Sequence, residues 1–297
     1  MQAWPGFEQR WETRQLAPFK RSFDVPLWDG TPAPGQTVLI HAEQGMGDMM
    51  MVARYLPLAA ARVGALAIEC QAPLRSLLEA MPNDISGDIT GDIHCFSAGA
   101  GLPAFDLHLP AMSLPGVFGT TPETVPWEGA YLSAPESIEV SLPSEDLKVG
   151  LAWAGNPLNP ADPERSVGLS MLAPLLNVEG CRFFSMQHGP EGDQIAAAGL
   201  QGQITDLRPQ MTDFAATAAL VAEMDLVISI CTSVAHLTGA MGKPLWIMLA
   251  EDADWRWLIE RDDTPWYPSA RLFRHCERGN WEELAAQVAA ALKEWGR

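Results

Sequence analysis

Twice along this chain an apolar run ends in a loop of small and polar residues and passes directly into apolar residues at helical spacing, and this repeated unit confines the fold more than any other feature. In the first instance residues 37–42 form the run, Gly45-Met46-Gly47 the loop, and 48–63 the helical spacing. Residues 66–70 read as the next strand and 105–109 as a later one. The second instance opens with a strand at 149–154, a loop at Gly155-Asn156-Pro157 and a helix at 169–176. Strands at 182–186, 226–230 and 245–249 follow, with helices at 213–224 and 232–241 between them. Alternation of this kind builds parallel α/β sheets, so two Rossmann-like halves are expected. The polar, Pro-bearing stretch 135–147 suits a hinge and divides the chain into domains 1–140 and 141–297. Residues 281–295 carry Leu284, Val288, Ala291 and Leu292 on one helical face. The first 36 residues hold Trp4, Trp11 and Trp28 with no usable period.

Composition narrows the function classes. A chain of 297 residues, 47% hydrophobic and 19% charged, can form one large or two medium domains with a real core. Its 37 acidic residues against 19 basic ones leave a net charge of −18, which opposes binding to nucleic acid and to anionic membranes. An anionic ligand must therefore be held by local donors against the global field. The five cysteines, Cys70, Cys95, Cys181, Cys231 and Cys276, include no C-x-x-C pair. They fit neither a disulfide framework nor a zinc cluster and read as buried small hydrophobes in a reducing compartment. No window reaches roughly 18 uninterrupted apolar residues, and the N-terminus has no basic segment followed by an apolar one. The expectation is a cytoplasmic protein with no membrane span.

Ligands of such sheets gather beyond the carboxyl ends of the strands, so the chemistry is sought in the loops there. Residues 232–236, Thr-Ser-Val-Ala-His, follow a strand and open a helix, which outlines a phosphate site of backbone N–H groups and a positive dipole end. The competing local reading is an ordinary N-cap with His236 packed on the helix. The loop HAEQGMGD (41–48) places Glu43 and Asp48 where either can accept a proton from a substrate hydroxyl, or Asp48 can cap its own helix. A carboxylate at a helix N-terminus is a weakened base, which keeps Glu43 in reserve. No third glycine completes a dinucleotide fingerprint and no Lys-Ser/Thr ends a P-loop, so neither NAD nor ATP chemistry is supported.

Arg165 and Ser166 can join the loop 153–157 to offer donors to a sugar or phosphate, unless they are a surface turn. Gln187 and His188 close another strand on the same edge. Asp254-Trp255-Arg256-Trp257, followed by Pro265-Trp266-Tyr267-Pro268, pairs aromatic faces with charges, which suits a carbohydrate ring or packing between halves. His41, His94, His108, His188, His236 and His275 are scattered without metal-ligand spacing, and no G-x-S-x-G elbow is present.

The segments HAEQGMGD (41–48), ARYLP (53–57), LPAFDLHLPAMSLPGVFGTT (102–121), WAGNP (153–157), SMQHGP (185–190), CTSVAHLTGAMGKP (231–244), DWRWL (254–258) and PWYPSARLF (265–273) occur in one order. Together they resemble the glycosyltransferase-like domain found C-terminal to tetratricopeptide repeats in bacterial proteins, related to the lipopolysaccharide heptosyltransferases of family nine. The resemblance implies a GT-B-like α/β fold, two Rossmann-like domains facing across a cleft, with the acceptor on the first and the nucleotide sugar on the second. It implies an inverting, metal-independent glycosyltransferase with no cofactor, the nucleotide sugar being a substrate. Asp48 would be the general base. Thr232, Ser233 and His236 would hold the donor phosphate, with Asn156, Arg165, Gln187, His188 and Cys231 around the donor. Gln44, Gly45, Gly47, Trp255 and Arg256 would line the sugar or acceptor cleft.

The chain departs from that pattern twice. Cys231 stands where an aspartate usually precedes the phosphate-binding turn, and His188 where a lysine commonly follows the glutamine. Either the site is degenerate, or the donor differs. A CMP-linked nonulosonic acid has one phosphate and a sugar carboxylate, so it needs less cationic clamp and is repelled by an acid at position 231. Related repeat-fused domains are thought to act on flagellin, which makes a protein acceptor such as flagellin the matching partner and a glycan the other. The repeats, with a period of about 34 residues, are absent. The chain is then an excised catalytic domain or a stand-alone relative, with acceptor recruitment elsewhere. The alternative from another class is a non-catalytic GT-B module that binds a nucleotide or protein partner.

Overall fold

The first apolar run is the end of a longer strand, β1 (Ala33–His41), in the computed structural model, which describes residues 3–81, 92–157, 159, 162–274 and 279–295. Gly35, at φ +84°, lets β1 start early through a bulge between Ala33 and Thr37. A Cβ on the facing Gly64 would stand 2.7 Å from the Gly35 backbone, so both positions demand glycine. Three more strands follow, β2 (Val63–Cys70), β3 (Asp92–Ser97) and β4 (Leu107–Pro110). They make a parallel sheet in the order β3-β2-β1-β4. The expected helix over 48–63 is broken: Met46–Val52 is helix, Ala53–Tyr55 a 3-10 turn, Leu56–Ala60 a second short helix, and Val63 belongs to β2. Pro57 explains the break, because it has no N–H to bond the preceding turn and sits in the first turn of the second helix, while Met49, Met50, Met51, Val52, Ala53 and Tyr55 are all buried.

The second unit has β5 (Leu147–Ala152), β6 (Cys181–Ser185), β7 (Ile204–Asp206), β8 (Leu226–Ile230), β9 (Leu245–Leu249) and β10 (Ala270–Arg274). All are parallel, in the order β10-β9-β8-β5-β6-β7. The chain divides into Met1–Leu132 and Ser133–Arg297. Residues 133–140 therefore go with the second unit, where Ala134, Ile138 and Val140 line one open cavity together with Ala219 and Ala222 of the helix Phe214–Glu223. In both sheets the chain builds outward from the first strand and then crosses to its other side. The order thus reverses between β1 and β4 and between β5 and β8, which is where a crevice opens beyond the strand ends.

Strands β3, β7 and β10, which sequence reading does not find, are all sheet edges. Strand β8, which it finds residue for residue, is buried at all five positions. Helix Trp281–Trp295 sets Leu284, Val288 and Leu292 into the second core beside Val149, Leu151 and Trp246. Leu284→Ala should lower the unfolding free energy by about 2–5 kcal/mol, since the cavity cannot collapse against a sheet. Urea unfolding measures it, and a loss below about 1 kcal/mol would place the helix outside the core. Among the described residues no helix is long and apolar enough to cross a membrane. Cys70 and Cys95 are buried, with thiols pushed up by burial to about 11 and about 12, whereas Cys181 is half-buried. Cys276 and His275 lie outside the described residues.

Candidate active site

On the second unit, Gln187 organises the exit from β5. Its Oε1 accepts the N–H groups of Trp153 at 2.9 Å and Ala154 at 2.8 Å, and its Nε2 donates to the carbonyls of Ala154 at 2.9 Å and His188 at 2.8 Å. Expected beside the donor, the amide is instead spent on backbone and shapes the loop that carries the exposed Asn156. Behind that loop, the Gly155 N–H donates to Ser166 Oγ at 2.9 Å, and Ser166 donates to Asp162 Oδ2 at 2.8 Å. Arg165 donates from Nε to Asp162 Oδ1 at 3.1 Å and from Nη1 to the Cys231 carbonyl at 3.2 Å. The loop after β5 and the turn after β8 are thereby tied across the strand-order reversal, and Arg165, expected at the loop 153–157, also reaches the turn.

That turn is an N-cap. The Ala235 N–H donates to Thr232 Oγ1 at 3.4 Å, while Thr232 Oγ1 and Ser229 Oγ lie 2.9 Å apart. Helix Ser233–Ala240 therefore opens at the carboxyl end of β8 with its first-turn amides at the crevice. His236 is not at that mouth. It is 3% exposed, its Nδ1 lies 2.7 Å from the Tyr267 hydroxyl, and its ring stacks on Trp257 at 5.5 Å. The close approach of Tyr267 needs Gly239, where a Cβ would meet the ring at 2.5 Å. So His236 is a packing residue that anchors the helix, and Thr232 and Ser233 remain the candidates for phosphate.

Cys231 completes the turn. Burial pushes its thiol up, Arg256, the Trp257 indole and Arg165 pull it down, and Asp254 pushes with burial. Arg256 is 6% exposed, with Nε 3.4 Å from Asp254 Oδ1, and its guanidinium lies over the Trp255 ring at 5.4 Å. Trp255 is 39% exposed and meets Trp266 edge-on at 5.6 Å, so part of its surface stays open to solvent. His188 stacks on Phe214 at 5.5 Å, and burial lowers its pKa. Its Nε2 is buried with no hydrogen-bond partner among the described residues. It is a neutral ring where a lysine would have been a cation.

On the first unit, the loop after β1 carries the two carboxylates in different states. Glu43 is buried and accepts from Arg10 Nε at 2.9 Å and Nη2 at 2.8 Å, from the Met112 N–H at 3.0 Å and from Gln44 Nε2 at 3.3 Å. Its oxygens are occupied by protein, which removes it from reserve as a base. Asp48 is half-buried, and its Oδ2 accepts the Gly45 N–H at 2.8 Å, so the capping reading holds. Gln44 and Gly45 are exposed beside it, and Gly47 is buried. Among the described residues no three His, Cys, Asp or Glu side chains are grouped to hold a metal ion.

Sequence reasoning missed Arg10 and Asp162, whereas Trp257 and Tyr267, weighed for a carbohydrate ring or for packing, are found packed on His236. Only Asp162 had a local signal, its i, i+3 spacing to Arg165. It also missed a pair beneath the loop, where His41 Nε2 lies 3.3 Å from His108 Nδ1. Phe23 packs on both rings at 5.3 and 4.6 Å, and Arg21 pairs with the neighbouring Glu69. Burial first, then Arg21, His108 and Arg10, lowers the His41 pKa from 6.5 to about 3. Above pH 6.5 the ring is neutral in both folded and unfolded chains. As the pH falls from there the unfolded chain takes up a proton that the folded one refuses, so stability drops. From pH 7 to 5 the loss from this ring should be about 2 kcal/mol, read by urea unfolding. His41→Gln should lose that much less over the same interval, and an identical pH dependence in the variant would contradict the burial argument.

No family model matches the chain. A curated relative, Protein FlbA of Caulobacter vibrioides, is 29% identical over 318 residues, which take in 99% of this chain and 52% of the relative. The chain thus spans about half the length of the curated relative it matches. Among solved structures, the E. coli ADP-heptose lipopolysaccharide heptosyltransferase II is 16% identical with a TM-score of 0.55, over 87% of this chain and 99% of that one. The family 9 glycosyl transferase of Veillonella parvula DSM 2008 is 11% identical with a TM-score of 0.56, over 90% and 99%. TibC, an iron-containing dodecameric glycosyltransferase of enterotoxigenic E. coli H10407, is 12% identical with a TM-score of 0.53, over 89% and 75%. The fold is that of GT-B glycosyltransferases. At these identities the likeness speaks for the two parallel-sheet α/β domains and leaves activity to be argued from the site.

Proposed function

We propose that the chain transfers a sugar from a nucleotide-sugar donor to a hydroxyl acceptor, with inversion and without a metal, in the cytoplasm. One observation carries the reading. Residues 153–156, Arg165, 231–233 and 254–257 converge at the carboxyl edge of the second sheet, at its strand-order reversal, where a nucleotide binds in sheets of this order. Thr232, Ser233 and the first-turn amides of their helix receive the leaving phosphate, with Arg165 beside them. Preorganised donors of this kind contribute a few kcal/mol each to the transition state. Asp48 takes the acceptor proton. A carboxylate has about four lone-pair sites, so capping Gly45 and accepting from a substrate hydroxyl are compatible.

The donor in this reading is a CMP-linked nonulosonic acid and the acceptor a protein such as flagellin, brought by a repeat region of the longer protein. Support for that donor comes from Cys231 and the neutral His188, which leave the sugar side without its acid and the phosphate side without a lysine. The test is calorimetric binding of UDP-, GDP-, ADP- and CMP-sugars, followed by transfer assays with and without a chelator. Binding without turnover for any acceptor would favour the second reading, a non-catalytic nucleotide-binding module, which the commitment of Gln187 and His236 to packing also suits. Binding of none of the four would refute both.

A further inference from the structure

The first two dozen residues show no period in sequence, yet they place one of the most completely bonded side chains of the first unit. Arg10 is 7% exposed, with its guanidinium over the ring of Phe7 at 4.5 Å and that of Trp11 at 4.7 Å. Its Nε and Nη2 grip Glu43 in a fork at 2.9 and 2.8 Å, and Nη2 also donates to Ser113 Oγ at 2.8 Å. Its Nη1 reaches Glu8 at 2.9 Å and the Phe7 carbonyl at 3.3 Å. Glu43 in turn accepts the Met112 N–H. One guanidinium thus joins the N-terminal segment, the loop after β1 and the turn after β4, across the strand-order reversal of the first sheet.

What this holds in place is strained. Gln44, next in sequence to Glu43, has φ +57°, a conformation that costs a non-glycine residue of order 1 kcal/mol and persists only when its surroundings impose it. On its far side the Gly45 N–H is fixed on Asp48 Oδ2. The turn 43–48 is therefore clamped at one end by Arg10 and closed at the other by the candidate base. A purely structural salt bridge has no need of a strained turn, and a buried fork is a poor source of net stability compared with apolar packing. Aim is what the arrangement supplies.

We infer that Arg10 is a positioning residue for the transfer reaction, acting through Glu43 to hold the turn that presents Asp48. The inference rests on the reading of Asp48 as the base. Its test measures kcat, donor KM and melting temperature for Arg10→Lys, Arg10→Met, Gln44→Gly and the double variant Arg10→Met/Asp48→Asn. A lysine cannot form the fork, so Arg10→Lys should lower kcat about tenfold and Arg10→Met up to about a hundredfold, with donor KM within about twofold. Gln44→Gly relieves the positive φ and should fold at least as stably, yet lose kcat several-fold because the turn loosens.

The double variant should be no slower than Asp48→Asn alone, because a residue that acts through the base has nothing to add once the base is gone. A merely structural role would lower the melting temperature and leave kcat intact well below it in both Arg10→Lys and Arg10→Met. Full kcat in Arg10→Lys and Gln44→Gly, or additive losses in the double variant, overturns the role of Arg10 while leaving the proposed function standing. Absence of transfer by the wild type with every donor overturns the proposed function and this role together.

Discussion

Asp48→Asn should reduce turnover by roughly 10²–10⁴-fold while leaving donor affinity within a few-fold. The substitution is a clean probe because of where the side chain sits. Its Oδ2 accepts the Gly45 N–H, and an asparagine carbonyl oxygen can accept the same bond, so the helix Met46–Val52 keeps its cap and the turn its shape. What is lost is the ability to take a proton, and that matters only as the acceptor oxygen attacks. Glu43→Gln gives the contrasting result. It leaves the buried Arg10 with only the exposed Glu8 as a counter-charge and should cost up to about 3 kcal/mol of stability by urea unfolding. An Asp48→Asn enzyme with near-normal kcat would move the base elsewhere. Glu43 is a poor substitute, since its oxygens already serve Arg10, Met112 and Gln44.

The two substitutions also show which parts of the molecule can be read from sequence. Interior strands announce themselves, as β8 and β9 do, because a strand buried on both faces needs an unbroken apolar run. Edge strands such as β7 and β10 need apolar residues on fewer contacts and disappear into their surroundings. The loops at strand ends were legible for the same reason as the strands they follow, and so were the N-cap at Thr232 and the cap at Asp48. What each loop side chain does was not. Gln187 and His236 sit in the right places, but whether an amide faces a ligand or four backbone groups depends on chain segments more than 30 residues away. The Arg10 to Glu43 fork spans 33 residues and joins a segment without periodicity to a turn. Local pattern carries no information about such a contact.

The donor preference should invert on a single substitution beside the phosphate-binding turn. In the wild type the thiol of Cys231 lies among Arg256, Trp257, Arg165 and Asp254. The charges there are already balanced, since Arg165 pairs with Asp162 at 3.1 Å and Arg256 approaches Asp254 at 3.4 Å. A neutral thiol at the centre therefore leaves room for a carboxylate carried in by the sugar, and the helix N-terminus then receives a single phosphate. Cys231→Asp puts a second fixed acid beside Asp254. In a partly buried site, like charges brought together cost several kcal/mol, so CMP-nonulosonic acid binding should weaken by roughly two orders of magnitude. A neutral UDP-hexose meets no such repulsion, and its sugar hydroxyls gain an acceptor, so its affinity should hold or rise. Calorimetry with both donors on both proteins reads the exchange directly. A wild type that prefers the UDP-sugar, or a Cys231→Asp variant that binds the CMP-sugar more tightly, would remove the carboxylated donor from consideration and leave the thiol as the mark of a degenerate site.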